Sequence, residues 1–256
     1  MDGWNHEGAE PRFSREVPGC LRVSQDGVQK RAETVALEVP FQVSFDGTRC
    51  DTLSCTPCDL EDLALGFAFS RGAVKSLGDV ERIVVEELEG RYAADVLLRG
   101  RQRAGSDAAR SNGGAAVRLP DGEPFDRAAV WKAAAGLDAR QGMRKDTGAT
   151  HAAAFVDRCG AFVCMREDVG RHNAVDKLVG ALLRAGVDPQ GGFAYLSSRC
   201  ALELVEKLAR FGVGLVATVS APTSAVIDYA AEANVALAAF ARGGRFTLYT
   251  HPERIR

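Results

Sequence analysis

No stretch of the 256-residue chain holds about 18 consecutive apolar residues, so no bilayer-spanning helix and no membrane partner is expected. The opening segment MDGWNHEGAEPRFSR has no apolar core and does not read as a secretory signal. Net charge is also nearly missing. Lysine and arginine total 32 against 34 acids, a balance of -2, so nothing draws the whole molecule toward nucleic acid, and any anion site must be local. The seven cysteines are an odd number without disulfide-framework spacing, which reads as reduced thiols in a cytoplasmic protein. Zinc deamination is disfavoured. It would need an acid two residues after a histidine and a later P-C-x-x-C. Ala153 stands two after His151, and no such cysteine pair follows. No internal repeat is visible. What remains is 46% apolar residues, enough for one large domain or one domain with a smaller satellite.

The chain divides into three parts. Residues 1–33 lack periodicity and read as a mobile lead-in. Residues 34–124 form a smaller, β-rich N-terminal subdomain. Thr34 to Phe45 alternates, and Asp46-Gly47 signals a hairpin turn. CTPCDLEDLALGFAFSRG starts a helix, with Thr56 as N-cap, Pro57 at the first helical position and Gly72 at the end. Val80 to Glu87 and Tyr92 to Leu98 pair across Glu89-Gly90. A long polar loop, 99–124, follows. Residues 125–256 alternate helices and strands. Helices are expected near 126–137, 173–185, 201–210 and 224–233. Strands are expected at 152–156, 161–166, 193–197, 214–220, 236–241 and 246–249. This is α/β organisation, with a largely parallel sheet covered on both faces.

Such sheets bind ligands beyond the carboxyl ends of their strands. Three polar clusters fall there: Ser197-Ser198-Arg199, then Ser220 to Ser224 with Thr223, then Phe240-Ala241-Arg242-Gly243-Gly244-Arg245. Hydroxyls at helix starts suit phosphate or plain capping. Two guanidiniums around a Gly-Gly pair can fork phosphate oxygens. Three clusters at successive strand ends favour a large phosphate-bearing ligand.

MREDVGRHNAVDKLVG, from Met165, concentrates more polar groups than a surface helix needs. His172 and Asp176 are four apart, as are Asn173 and Lys177, so each pair can share a helix face. Two readings stay open: a network that fixes the helix start, or part of a ligand site. His151, alone at a strand start, reads as structural. Cys50, Cys55 and Cys58 are spaced C-x4-C-x2-C at a helix start, where a thiol can be acidified for redox or sulfur chemistry or simply packed as a small side chain. Cys159, Cys164 and Cys200 read as structural.

These motifs resemble the formate dehydrogenase accessory sulfurtransferase family (FdhD/NarQ), from about Thr34 to Ile255. EDVGRHNAVDK is the most specific. TPCDLEDLALGF, TGATHAAAF, SSR, SAPTSAVIDYA and FARGGRFTLYTHPERI follow the family's order. The resemblance implies a layered fold related to cytidine deaminases, without zinc. It implies a homodimer that binds a molybdenum bis(molybdopterin guanine dinucleotide) cofactor as cargo. It implies two protein partners, formate dehydrogenase and a cysteine desulfurase that supplies sulfur. The family's cofactor motif maps onto Phe240, Ala241, Arg242, Gly243, Gly244 and Arg245. Arg171, His172, Lys177, Ser197, Arg199 and Thr223 complete the expected site. One departure is serious. The family carries sulfur on a Cys-Gly-x-Cys loop, and the matching segment 99–124 holds no cysteine. Ser or Asn cannot attack a persulfide. No catalytic residue is therefore assigned. Ala149 and Ser198 also stand where the family usually has glycine. The implied function is cofactor binding for formate dehydrogenase. Either sulfur transfer runs through a displaced thiol, or the chain is a cofactor chaperone or regulatory paralogue without it.

Overall fold

The computed structural model describes residues 13–100 and 117–256. Most of the expected long loop, and residues 1–12 of the expected lead-in, lie outside the described residues. The rest of that lead-in is an antiparallel hairpin, β1 (Ser14–Ser24) on β2 (Gly27–Ala36). Both faces of this ribbon are largely exposed, with Leu21, Val23 and Val28 in solvent. No buried face imposes a two-residue rhythm, so the sequence pattern is silent there.

Next come β3 (Val39–Phe45) and β4 (Thr48–Cys55), joined by Asp46-Gly47 with both residues at positive φ, as the hairpin signal requires. Helix α1 (Leu60–Ser70) begins four residues later than its expected cap at Thr56. The polar groups of Thr56 are committed elsewhere: its N–H donates to Asp168 and its hydroxyl accepts from Val169 N–H. Asp59 takes the N-cap position in left-handed geometry. Strands β5 (Val80–Leu88) and β6 (Arg91–Leu98) complete a four-stranded sheet in the order β4-β3-β6-β5.

Helix α2 (Arg127–Arg140) is capped by the Asp126 carboxylate, and α3 (Gly142–Thr147) is a short helix too brief to show a period. Then follow β7 (His151–Asp157), β8 (Phe162–Asp168), α4 (Arg171–Ala185), β9 (Gly192–Leu196), α5 (Leu202–Phe211), β10 (Leu215–Thr218), α6 (Ser224–Glu232), β11 (Ala236–Arg242) and β12 (Arg245–Thr250). They build a six-stranded sheet, order β12-β11-β10-β9-β7-β8. It is mixed rather than largely parallel. Only β9, β10 and β11 pair in parallel; β7 and β12 run against them, and β8, antiparallel to β7, runs their way at the sheet edge.

Alternation along the strands sorts the core. Ala153, Phe155, Leu196, Val216 and Leu237 face α4, α5 and α6, while Ala152, Val156, Tyr195, Ala217 and Ala238 face α2. The first of these cores continues through α1 into Phe41, Val43, Ala94 and Val96 of the smaller sheet, so one apolar interior spans the two sheets. Helices α1 and α4 cross at backbone contact. A Cβ on Gly66 would lie 1.8 Å from the Asp176 carbonyl oxygen, and one on Gly180 would lie 2.0 Å from that of Asp62.

Candidate functional site

One edge of the large sheet gathers nearly all the expected groups. The carboxyl ends of β9, β10 and β11 lie side by side. Because β7 is antiparallel to β9, its first residue, His151, joins that edge, and the end of β8 follows. From β11 to β8 are four strand spacings, roughly 19 Å. The loops after β9 and β10 stay adjacent through a parallel bridge of Cys200 with Pro222.

At one end stands Phe240. Its φ is +53° and the residue is 37% exposed. A bulky residue in left-handed geometry is an outlier. It is held by its N–H donating to Ser220 and by the Tyr195 hydroxyl donating to the Ala241 carbonyl. Gly243 and Gly244, at φ +59° and +76°, make the tight turn that sets Arg242 opposite Arg245, both exposed. Toward the sheet centre, Thr223 is exposed at the N-cap of α6, and its hydroxyl makes no capping bond. Arg199 is exposed. Ser197 is not a free hydroxyl. Its Oγ accepts from Ala152 N–H at 2.7 Å and its N–H donates to the Ala152 carbonyl, extending the sheet.

At the other end, the Asp168 carboxylate is fully buried. It accepts from the N–H groups of Thr56 and Gly170, from Asn173 Nδ2, and from Lys177 Nζ at 2.7 Å. Lys177 is itself 0% exposed and also donates to the Thr56 carbonyl. Its expected partner Asn173 meets it only through this shared carboxylate, and Asp176 turns from His172 to Ser70 and Lys207. Lys177 therefore pins β4, β8 and α4 together and is withdrawn from any ligand. His172 is half-buried, 3.8 Å from Glu203. Burial, then Lys207 and Arg171, hold its imidazole below the usual range. Arg171 and His151 are half-buried, and Arg171 Nε and His151 Nδ1 are buried atoms without a hydrogen-bond partner. A cleft of about 340 Å³ is lined by Thr147, Ala149, Val169 and Gly170 with Val35, Ala36, Glu38 and Ser54; neither His151 nor Arg171 lines it.

The thiols take no part in that opening. Burial, with the Asp168 charge, pushes Cys55 up to about 12, and burial pushes Cys58 up to about 11. Neither is an acidified helix-start thiol. Cys200 is also buried, and burial lifts it to about 12; Cys50 and Cys164 are raised, again by burial first.

Sequence reasoning placed the Phe240–Arg245 turn, Arg171, Arg199 and Thr223 on this edge. Lys177 and Ser197 have structural duties instead. It read His151 as structural and did not place it on this edge; the antiparallel step from β9 to β7 brings that strand beginning to an edge otherwise made of strand ends.

The family model for FdhD/NarQ matches residues 36–256. The chain is 38% identical over 248 residues to the sulfur carrier protein FdhD of Bordetella petrii, covering 90% of this chain and 89% of that one. It is 40% identical over 239 residues to the sulfur carrier protein FdhD of Chromobacterium violaceum, covering 85% and 88%. Among solved structures, a protein provisionally described as a formate dehydrogenase accessory protein, from Desulfotalea psychrophila, superposes with a TM-score of 0.79 at 23% identity. The match covers 95% of this chain and all of that one, which shows a shared fold.

Proposed function

The chain belongs to the FdhD/NarQ family, and from that premise we propose that it is an accessory protein for formate dehydrogenase that holds the molybdenum bis(molybdopterin guanine dinucleotide) cofactor as cargo. In this reading it works in the cytoplasm as a homodimer. The observation that carries the reading is Phe240. Backbone strain of this kind costs about 1–3 kcal/mol and persists where the surroundings enforce it, commonly at ligand clamps. Here it accompanies a partly exposed aromatic side chain, of a kind suited to a guanine ring. Arg242 and Arg245 stand beside it, suited to phosphate oxygens. Calorimetry with GDP tests this. Arg242→Ala and Arg245→Ala should each weaken binding by roughly 1.5–3 kcal/mol if each makes a charge-assisted bond. Unchanged affinity in both removes these residues from the site.

The relatives' name favours a second reading, in which the chain also passes sulfur from a cysteine desulfurase to the cofactor. The cysteines weigh against it. None lies between residues 99 and 124, and Cys55 and Cys58 are buried with raised pKa values. Cys159, read from the sequence as structural, is exposed, but it sits in the β7–β8 turn, at the sheet edge opposite the one that gathers the expected groups. A carrier thiol must be accessible and ionised to take a persulfide. We therefore assign cofactor holding without sulfur transfer. Incubation with a desulfurase and labelled cysteine, then alkylation and mass mapping, should find no stoichiometric persulfide. Label at one cysteine, lost on its change to Ser, reinstates the carrier.

A further inference from the structure

Leu21, Val23 and Val28 are 65%, 73% and 62% exposed, the three most exposed large apolar side chains among the described residues. All three sit on one face of one hairpin. Val23 pairs with Val28 and Leu21 with Lys30, and directly paired residues share a face. Cys20, Arg22, Gln29 and Arg31 take the other face. From Leu21 to Ala32 every residue is exposed, so nothing in the described chain covers this end of the ribbon. A two-stranded ribbon alone is marginal in water, and a third strand or a packed face secures it.

The edge open to a further strand is that of β2. Strand β1 is interrupted by Pro18, which has no N–H, and by a bulge between Val17 and Cys20 with Gly19 at φ +78°. Strand β2 has neither proline nor bulge, and its outer edge pairs with no described strand. That edge is basic. From Cys20 to Arg31 stand Arg22, Lys30 and Arg31 against Asp26 alone. Two such edges side by side would oppose like charges, so the matching strand is an acidic one.

The chain itself carries one. Strand β5 is the outer strand of the four-stranded sheet, and its far edge is unpaired among the described residues. It holds Glu81, Glu86 and Glu87, all exposed, against Arg82. The other outer strands do not match. Strand β12 has an arginine and no acid, β4 balances Arg49 with Asp51, and the β8 acids Glu167 and Asp168 are buried.

We propose that β2 of one copy adds antiparallel to the free edge of β5 in a second copy, extending that four-stranded sheet by the ribbon. Main-chain hydrogen bonds hold a strand added in this way, and alternate side chains select it. One register sets Lys30 opposite Glu87 and Arg31 opposite Glu86. Val28 and Lys30 then fall on the side of Ile83 and Val85, which pack on the core that includes α1, so the apolar face of the ribbon turns to the α1 side of the second copy. A two-fold axis makes this contact twice. The inference rests on the homodimer of the proposed reading, not on its cofactor.

Sedimentation velocity of the full chain over a range of concentrations measures the dimer, with GDP calorimetry alongside. Lys30→Glu with Arg31→Glu should raise the dissociation constant roughly tenfold, as should Glu86→Lys with Glu87→Lys. An equal mixture of the two double variants should recover the constant of the unmodified chain, because both contacts again oppose unlike charges. A dimer that ignores both double variants, or that is not recovered on mixing, overturns this interface and leaves the homodimer to another surface. A chain monomeric at every concentration overturns the interface and the homodimer together, while GDP binding still decides the cofactor. Should a variant fail to fold, hydrogen exchange of the unmodified chain decides. Residues 29–32 and 85–88 should gain protection together as concentration rises, and unchanged exchange overturns the proposal. Protection of 29–32 by phosphatidylglycerol vesicles instead of by concentration assigns the ribbon to a lipid surface and also overturns it.

Discussion

Lys177 and Asp168 show how a residue named for a ligand can belong to the scaffold. A fully buried lysine bound to a fully buried carboxylate holds three elements together. Removing one partner strands the other charge, at a cost of about 3–5 kcal/mol. Lys177→Met should lower stability by that order in chemical denaturation, while GDP affinity per folded molecule stays unchanged. Lost affinity with normal stability would return Lys177 to the ligand. His151 and His172 make a second test. Both have folded pKa values below the usual 6.5, chiefly through burial. The unfolded chain then binds more protons in the window below 6.5, so stability is full above it and falls as pH drops through the lowered values. Melting temperature should decline from about pH 7 toward 5, and replacing both histidines should flatten that slope. Phe240 separates stability from function most cleanly. Phe240→Gly relieves the left-handed strain, so the melting temperature should hold or rise while GDP binding weakens. Reduced melting with intact binding would reverse the assignment. The sequence showed Phe240, Arg242 and Arg245 in a run. It could not show the positive φ, which depends on Ser220 and Tyr195 from other strands.

Helix α4 illustrates what patterning can and cannot reveal. Its start was legible to within two residues, from the clustered polar groups before an apolar run. Its contact with α1 was not, since glycine inside a helix reads only as a weak point. Gly66 and Gly180 permit the two backbones to touch. Ala at either position drives a methyl into a carbonyl oxygen and must separate the helices. Gly66→Ala and Gly180→Ala should each cost about 1–3 kcal/mol or more, by the overpacking rule, read as a shift in urea midpoint. Tolerance of both would mean that the helices slide apart without loss. The start of α1 was misplaced for a similar reason. Thr56-Pro57 has the chemistry of a helix start, but Asp168, more than a hundred residues away, claims the Thr56 N–H. The exposed ribbon of β1 and β2 escaped because alternation marks a strand only where one face is buried.

Across the molecule, the order of the strands and longer helices after residue 125 was legible because each has a buried face and a turn signal; α3, which buries no residue, was not. The mixed direction of the sheet was not, because β7 and β8 are an antiparallel pair inserted beside a parallel core. That insertion matters for function. It extends the edge proposed for the ligand past β9 and places His151 and Arg171 toward its far end. The relatives' name points to sulfur, while the proposed reading rests on phosphate and guanine. The most direct measurement loads the full chain with the molybdenum bis(molybdopterin guanine dinucleotide) cofactor, after incubation with a desulfurase and labelled cysteine. Gel filtration then recovers the protein for assay of molybdenum, guanine nucleotide and sulfane sulfur. The account predicts that molybdenum and guanine nucleotide co-elute with the protein, are lost in Arg242→Ala, and come with no labelled sulfur on any cysteine. Protein that emerges free of cofactor, or that carries stoichiometric persulfide, contradicts it.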